Sequence, residues 1–498
     1  MRLIGLLLAS AAATAIAGCT LGPDFLRPSA PTDSRYTAEP LPEQTASAAI
    51  AGGDAQRFLQ DTDVPADWWT LFGSMAMNDL VEQALKNNAD IEAAQASLRQ
   101  FEQNLFASEG ALYPQVNANG FAEREKIATN NGGTTAGKTF NLYNTSVSVS
   151  YIVDIFGGVR RSIEASAATE ENQRFLLEAT YLTLVSNVIT TAIQTASLSA
   201  QIAALNDIIA AQSQELDLLN QQFELGAVAR GDVLQQQSQL AATQASLPPV
   251  QKQLVQSRNL LSVLLGKTPA EINIPNFELV DLKLPTELPL TLPSKLVEQR
   301  PDVRGAEALL HVASAQVGIA TAAQFPTFNL TGSLLSQTTT IPGNVALFTP
   351  DTFAWTLVAN AAQPIFRGGT LLAQKRAAID NFDRANASYR GVVLNAFANV
   401  ANVLAALELD AETLRVQLYA EQTAEQSLEI TQEQFQAGAI AYLSLLDAQR
   451  TYQQARIALV IAQANRFADT VALFQSLGGG WWNRQDVAQA SGVPTPPP

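Results

Sequence analysis

The sequence predicts an α+β fold built from two copies of one unit, a strand pair joined to a long helical hairpin. Three observations carry this reading. Val159 to Leu225 runs 67 residues without Gly or Pro. As a helix it would reach roughly 100 Å, longer than a single globular core uses. Gln434-Phe435-Gln436-Ala437-Gly438-Ala439-Ile440-Ala441 repeats Gln222-Phe223-Glu224-Leu225-Gly226-Ala227-Val228-Ala229 at an offset of 212 residues. Asp90 and Asp302 share that offset, as do Pro114 and Pro326, so the chain reads as an internal duplication. Finally, two regions in each copy alternate apolar and polar residues, the period of strands.

Composition sets the limits. The chain has 498 residues, 47% hydrophobic and only 15% charged, with a formal net charge of −16. That mixture suits helices packed along most of their length. The acid excess gives no basic patch for nucleic acid, and in a pore it would favour cations. At the N-terminus, Arg2, an apolar run from Leu3 to Ile16, and Ile16-Ala17-Gly18-Cys19 form a targeting segment. The run is too short to span a membrane. A small-residue site followed at once by Cys looks like a bacterial lipoprotein signal. Residues 1–18 are expected to be removed and Cys19, the single cysteine, acylated, so no disulfide can form in the mature chain.

In chain order, residues 19–66 read as an extended segment leaving the anchor. The first repeat is placed at 67–285 and the second at 286–482, with the Pro-rich 483–498 as a disordered tail. Asp67-Trp68-Trp69-Thr70-Leu71-Phe72 is an aromatic cluster. Met75 to Tyr113 reads as one helix, ended by Pro114. Strands are expected within 115–154, joined by the turn Asn130-Asn131-Gly132-Gly133, and within 327–364, around a loop holding Pro342 and Gly343. Tyr143, Thr145, Val147, Val149, Tyr151 and Val153 make one strand face, and Phe353, Trp355 and Leu357 its counterpart. Such strands fit either a half-buried sheet in water or a membrane barrel. Four strands cannot close a barrel, so several chains share one or the strands are wet.

The helical hairpins are placed near 159–265 and 370–477, turning at Gly226 and Gly438. Ile202, Leu205, Ile209, Gln212, Leu216, Leu219 and Phe223 form a heptad seam facing the return helix. The return runs start at Asp232 and Ser444, each the head of a capping box. Pro248-Pro249 should break the first. If copies met about an axis, Leu443 and Asp447 would form an apolar and an acidic ring.

Enzymatic chemistry is not indicated. His311 is the single histidine, without a carboxylate or Cys at ligand spacing, and reads as a packed or surface residue rather than a ligand. G-x-S-x-G, Walker, H-E-x-x-H and C-x-x-C patterns are absent from the sequence. No cofactor is expected beyond a covalent lipid on Cys19.

Several motifs resemble the outer membrane factor, or TolC-like, family, in its lipoprotein branch. They are Cys19 with Gly22-Pro23-Asp24-Phe25 and Arg27-Pro28, Trp68-Trp69 with Leu71-Phe72-Gly73, Tyr442-Leu443-Ser444-Leu445-Leu446-Asp447-Ala448-Gln449-Arg450, and Leu477-Gly478-Gly479-Gly480-Trp481. The resemblance implies a trimer. Each chain would give four strands to one twelve-stranded outer-membrane β-barrel, continued by a periplasmic helical coiled-coil tunnel. It implies an efflux exit duct working with a periplasmic adaptor and an inner-membrane pump of the RND type. Leu443 and Asp447 would be gate-ring positions, and Arg230, Asp232 and Tyr442 would lie in the region where tip-to-tip links hold such gates closed. Ser444 stands where some relatives carry a second acid, so one acidic ring is expected. The alternatives are a type I protein-secretion component and, in another class, a non-pore periplasmic coiled-coil lipoprotein. The cargo is not legible.

Overall fold

The computed structural model describes residues 20–33, 35–127, 138–271, 278–340 and 347–484. Cys19 and the signal segment, the turn at 130–133, the loop with Pro342 and Gly343, and the tail from 485 lie outside these residues. The chain divides into two compact units, one containing Ser97–Gln173 and Gly305–Tyr389 with the chain up to Pro28, the other holding Ser29–Ala96, Arg174–Arg304 and the remainder from Arg390.

In chain order the elements are β1 (Arg57–Gln60), α1 (Met75–Asn87), α2 (Ala89–Glu109), β2 (Gln115–Ile127), β3 (Lys138–Val153), α3 (Gly158–Glu224) and α4 (Arg230–Leu264). Then follow β4 (Glu287–Leu290), α5 (Pro293–Gln299), α6 (Pro301–Ala322), β5 (Thr327–Thr340), β6 (Phe353–Ala362), α7 (Thr370–Gln436) and α8 (Tyr442–Ser476). α3 and α7 are each 67 residues long, α4 and α8 each 35.

The first unit is organised by an antiparallel sheet in the order β2-β3-β5-β6. Its register sorts side chains by chemistry. Val147 sits opposite Ala118 and Leu334, and Leu334 opposite Trp355. One residue along, Ser148 faces Asn117 and Ser333, and Ser333 faces Thr356. One face is therefore an apolar stripe and the other is polar, with Ser333 and Thr356 hydroxyls 2.7 Å apart. The apolar face is uncovered in this chain: Trp355 is 75% and Leu357 77% exposed. β2 and β6 are edges with no further strand beside them among the described residues. At the exit from β3, Asp154 accepts from the Val159 and Arg160 backbone N–H groups at 3.1 and 2.9 Å, anchoring the positive end of α3.

The N-terminal motif packs in the same unit. Arg161 donates to Asp24 at 2.7 Å, Arg27 pairs with Glu307 at 2.6 Å, and Phe25 stacks on His311 with ring centroids 4.3 Å apart. His311 Nε2 also lies 2.9 Å from Glu164 Oε1, a carboxylate brought from a different helix. No cluster of three or more metal-ligating side chains occurs among the described residues.

In the second unit the aromatic cluster and the glycine motif meet. Trp68 is buried and stacks on Phe474 at 5.0 Å, Phe72 lies near Phe467, and Trp481 donates to the Gln299 carbonyl at 2.6 Å. β1 pairs in parallel with β4, an element that the aperiodic 19–66 segment did not signal.

Three expectations are corrected. Met75 to Tyr113 is not one helix. Asn88 leaves the helical region at φ −71°, ψ 129°. Its side chain accepts from the Asp90 and Ile91 N–H groups and donates to the Leu264 carbonyl, so it starts α2 as a cap. Pro248-Pro249 does not break α4, which runs through both. The carbonyls freed at Gln244 and Ala245 belong to exposed residues, where water can satisfy them. The third concerns α3. Its buried line is Leu205, Ile208, Gln212, Glu215 and Leu219, while Ile202, Ile209 and Leu216 are half-buried and Phe223 exposed. The spacing of a seam survives but turns toward a second partner, because Leu219 packs with Val233 of α4 and also with Tyr442, Leu445 and Leu446 of α8.

One buried polar cluster has a pH consequence. Arg466 is fully buried and donates to the carbonyls of Leu407 and Asp54 and to Thr45 Oγ1. Beside it, burial and the neighbouring Asp410 carboxylate push Asp469 from 3.8 up to about 7, with Arg466 opposing. A raised carboxyl pKa means that folding binds a proton. The contribution is intact below about pH 4 and lost as pH rises through about 7. The thermal stability of the full chain should therefore fall from pH 5 to pH 8. Asp469→Asn should flatten that slope, by on the order of 2 kcal/mol once solvent screening is discounted.

Candidate functional site

The residues singled out in the sequence gather at the tips of the two helical hairpins. Each tip is a Schellman turn. The Ala227 N–H reaches the Gln222 carbonyl at 2.8 Å and the Gly226 N–H reaches Phe223 at 2.9 Å. Ala439 and Gly438 repeat this on Gln434 and Phe435, both at 2.9 Å. Gly226 and Gly438 sit at φ 76° and 72°. A Cβ at either would meet open space, so backbone strain alone demands glycine there.

The return helices start two residues earlier than expected. Asp232 is therefore not the N-cap of α4 but its third residue, with Ala229 as the cap. Asp232 Oδ2 accepts from the Ala229 N–H at 3.2 Å. This is half of a capping box, since alanine offers no side-chain acceptor in return. Ser444 takes the corresponding position in α8, whose cap Ala441 makes no side-chain bond.

Tyr442 is the centre of the tip. It is 3% exposed and packs among Leu219, Val233, Leu445 and Leu446, with the Phe435 ring edge-on at 5.5 Å. Its hydroxyl donates to Gln236 Oε1 of α4. Gln236 Nε2 in turn donates to the Gln212 carbonyl of α3 at 2.8 Å, and Arg450 donates to Gln239 at 2.7 Å. One hairpin is thus tied to the other by hydrogen bonds in an apolar surround. Burial raises the Tyr442 pKa, helped by the Glu215 and Asp232 charges, so the phenol stays a donor.

Leu443 and Asp447 are exposed on one face of α8, one turn apart. Asp447 opens onto a groove of about 470 Å³ between α7 and α8 lined by small residues such as Ala424, Ser427 and Ala448. Arg230 is also exposed. The structure brings Tyr442 and Asp232 into one neighbourhood but leaves Leu443, Asp447 and Arg230 facing outward. Gln236 and Gln239 were not singled out in the sequence. Their signal was present, as glutamines recurring on the face of α4 that also carries Val233 and Leu240.

Tyr442→Phe should leave Gln236 Oε1 buried without a donor, costing about 1–2 kcal/mol. Hydrogen exchange should quicken at the two tips and stay unchanged in the strands.

The outer membrane efflux protein family matches residues 80–267 and 292–479. The chain is similar to the pyoverdine export outer membrane protein OpmQ of Pseudomonas aeruginosa, 31% identical over 474 residues, covering 92% of this chain and 95% of that one. It is 28% identical to the cation efflux system protein CusC of Escherichia coli, over 94% of this chain and 97% of that one. The structure of the outer-membrane channel OprN superposes with a TM-score of 0.82 at 27% identity, covering 93% of this chain and 100% of that one. The chain belongs to the outer membrane efflux protein family, and it is an outer-membrane channel for efflux rather than an enzyme.

Proposed function

We propose that three copies of this chain close one twelve-stranded barrel in the outer membrane and that their helices line an exit duct through the periplasm. The observation carrying this is the unfinished sheet. Four strands with two free edges and an uncovered apolar face are untenable alone, in water or in lipid. Closure by neighbouring copies pairs the edges and turns the apolar stripe to lipid and the polar face to the lumen. α3, α7 and α8 are also long and apolar enough to cross a membrane by length and composition. The two-faced strands fit a barrel wall better, and the apolar windows of α3 and α8 are 56% and 61% buried within the chain, that of α7 28%.

The duct is passive, and energy comes from an inner-membrane pump of the RND type reached through a periplasmic adaptor. CusC is named for a cation efflux system and TtgC of Pseudomonas putida for an efflux pump, which favours such partners here. The chain is a duplication. The two matched segments begin and end 212 residues apart, as do the bounds of α3 and α7 and those of α4 and α8. Cys19 is the lipid anchor. Leu443 and Asp447 form the apolar and the acidic ring of the periplasmic gate, and Arg230, Asp232 and Tyr442 hold it shut as the locking side of a bistable element.

Two experiments test this reading. In planar bilayers the purified protein should form cation-preferring pores, and Asp447→Ala should lower that preference by about two- to threefold. A protein that never conducts removes the duct, and unchanged selectivity removes Asp447 from the filter. Labelled palmitate should enter the wild type and not Cys19→Ser; failure to label the wild type removes the anchor.

A further inference from the structure

We infer that β6 of one chain pairs antiparallel with β2 of the next copy in a single register. That register sets Ile365 opposite Val116, Ala362 opposite Asn119 and Thr356 opposite Glu125. The inference rests on the reading of several copies sharing one barrel, and it names the residues that join them.

The two hairpins already closed within the chain supply the measure. In the first, Gln115 faces Ser150 and Arg124 faces Asn141. In the second, Thr327 faces Ala362 and Ser336 faces Phe353. Each of these four residues lies 212 positions after its counterpart in the first hairpin. Gly158 and Thr370, where the long helices begin, are separated by the same 212 positions. Gly157 and Gly369, at φ 78° and 84°, make the same turn before each helix. Both hairpins and their exits are therefore equivalent residue by residue.

The chain also contains one junction between hairpins. β3, the second strand of the first hairpin, pairs with β5, the first strand of the second, from Val153 opposite Phe328 to Asn141 opposite Thr340. In a closed ring β6 and the β2 of the next copy stand in the same relation. Replacing Val153 and Phe328 by their counterparts sets Ile365 against Val116. Ser150 with Thr331 becomes Ala362 with Asn119, and Asn144 with Gln337 becomes Thr356 with Glu125. A barrel also needs a fixed stagger around its ring. Within the chain Asn119 is level, through Ser146, with Leu335, although its counterpart is Thr331, four residues earlier. Using the β3–β5 register at the seam repeats that stagger.

Side chains along the seam fit this register. Val116 is 65% and Ile365 88% exposed in the single chain, and the register brings these two apolar residues together. Trp355 comes opposite Lys126, whose ammonium can lie over the indole face. A slip of one residue would set Ile365 against Gln115 or Asn117, which belong to the polar face. A slip of two keeps the faces but displaces neighbouring copies by about 7 Å along the strands, out of step with the β3–β5 junction.

Paired cysteines in a Cys19→Ser background, oxidised with iodine in outer membranes, test this. Asn119→Cys with Ala362→Cys probes the polar face. Val116→Cys with Ile365→Cys probes the apolar face, because the two kinds of antiparallel pair differ in side-chain separation. Asn119→Cys with Ala362→Cys should give about tenfold more covalent trimer on non-reducing gels than Asn117→Cys or Phe121→Cys with Ala362→Cys, where the partners are diagonal. Asn119→Cys with Thr356→Cys, six residues out of register, should give none. If one in-register pair prevents assembly, the other decides. Equal or greater yield from a slipped pair would overturn the register and leave the shared barrel standing. No covalent product from any pairing of β2 with β6 would overturn both.

Discussion

Backbone hydrogen bonding at the edges of the sheet is the constraint on which the rest depends. Among the described residues β2 and β6 each end the sheet with one side unpaired, and the face carrying Val147, Leu334, Trp355 and Leu357 is exposed. Every unpaired N–H or carbonyl in lipid costs several kcal/mol, so an edge cannot persist there. The proposed closure by like chains would remove that cost, and it fits a chain whose described residues hold long helices and four long strands. The duplication read from the sequence would fit the same logic, since each half supplies two strands that cannot bury a face by themselves.

At the hairpin tips a different balance holds. Tyr442, Gln236 and Gln212 form a short polar chain inside an apolar cluster, where hydrogen bonds are strong and orphaned groups costly. Such a link is stable when complete and weak once one member is withdrawn. That is the behaviour a gate element needs.

Most of the architecture was legible because it rests on periodicities. Freedom from Gly and Pro over Val159–Leu225 marks the helix, Gly226 its end, and the alternation from Tyr143 to Val153 the strand. The misreadings share a cause, which is that local signals are overruled by tertiary partners. Asn88 breaks a helix because it can cap the next one and reach the Leu264 carbonyl. Pro248-Pro249 is tolerated because the freed carbonyls lie on an exposed side of α4. Asp232 looks like an N-cap until the helix is seen to begin at Arg230. The Gln236 link was hidden because glutamines recurring on one face of α4 do not name their partner, and Tyr442 lies 206 residues away.

The most direct test is a disulfide scan pairing single cysteines along β2 with single cysteines along β6, for example Asn119→Cys with Thr356→Cys, in a Cys19→Ser background. Closure by three chains predicts that one register oxidises in the outer membrane to a covalent trimer on non-reducing gels, with no larger product. Absence of cross-linking in every register, or an open ladder extending beyond three, would contradict a barrel shared among three chains.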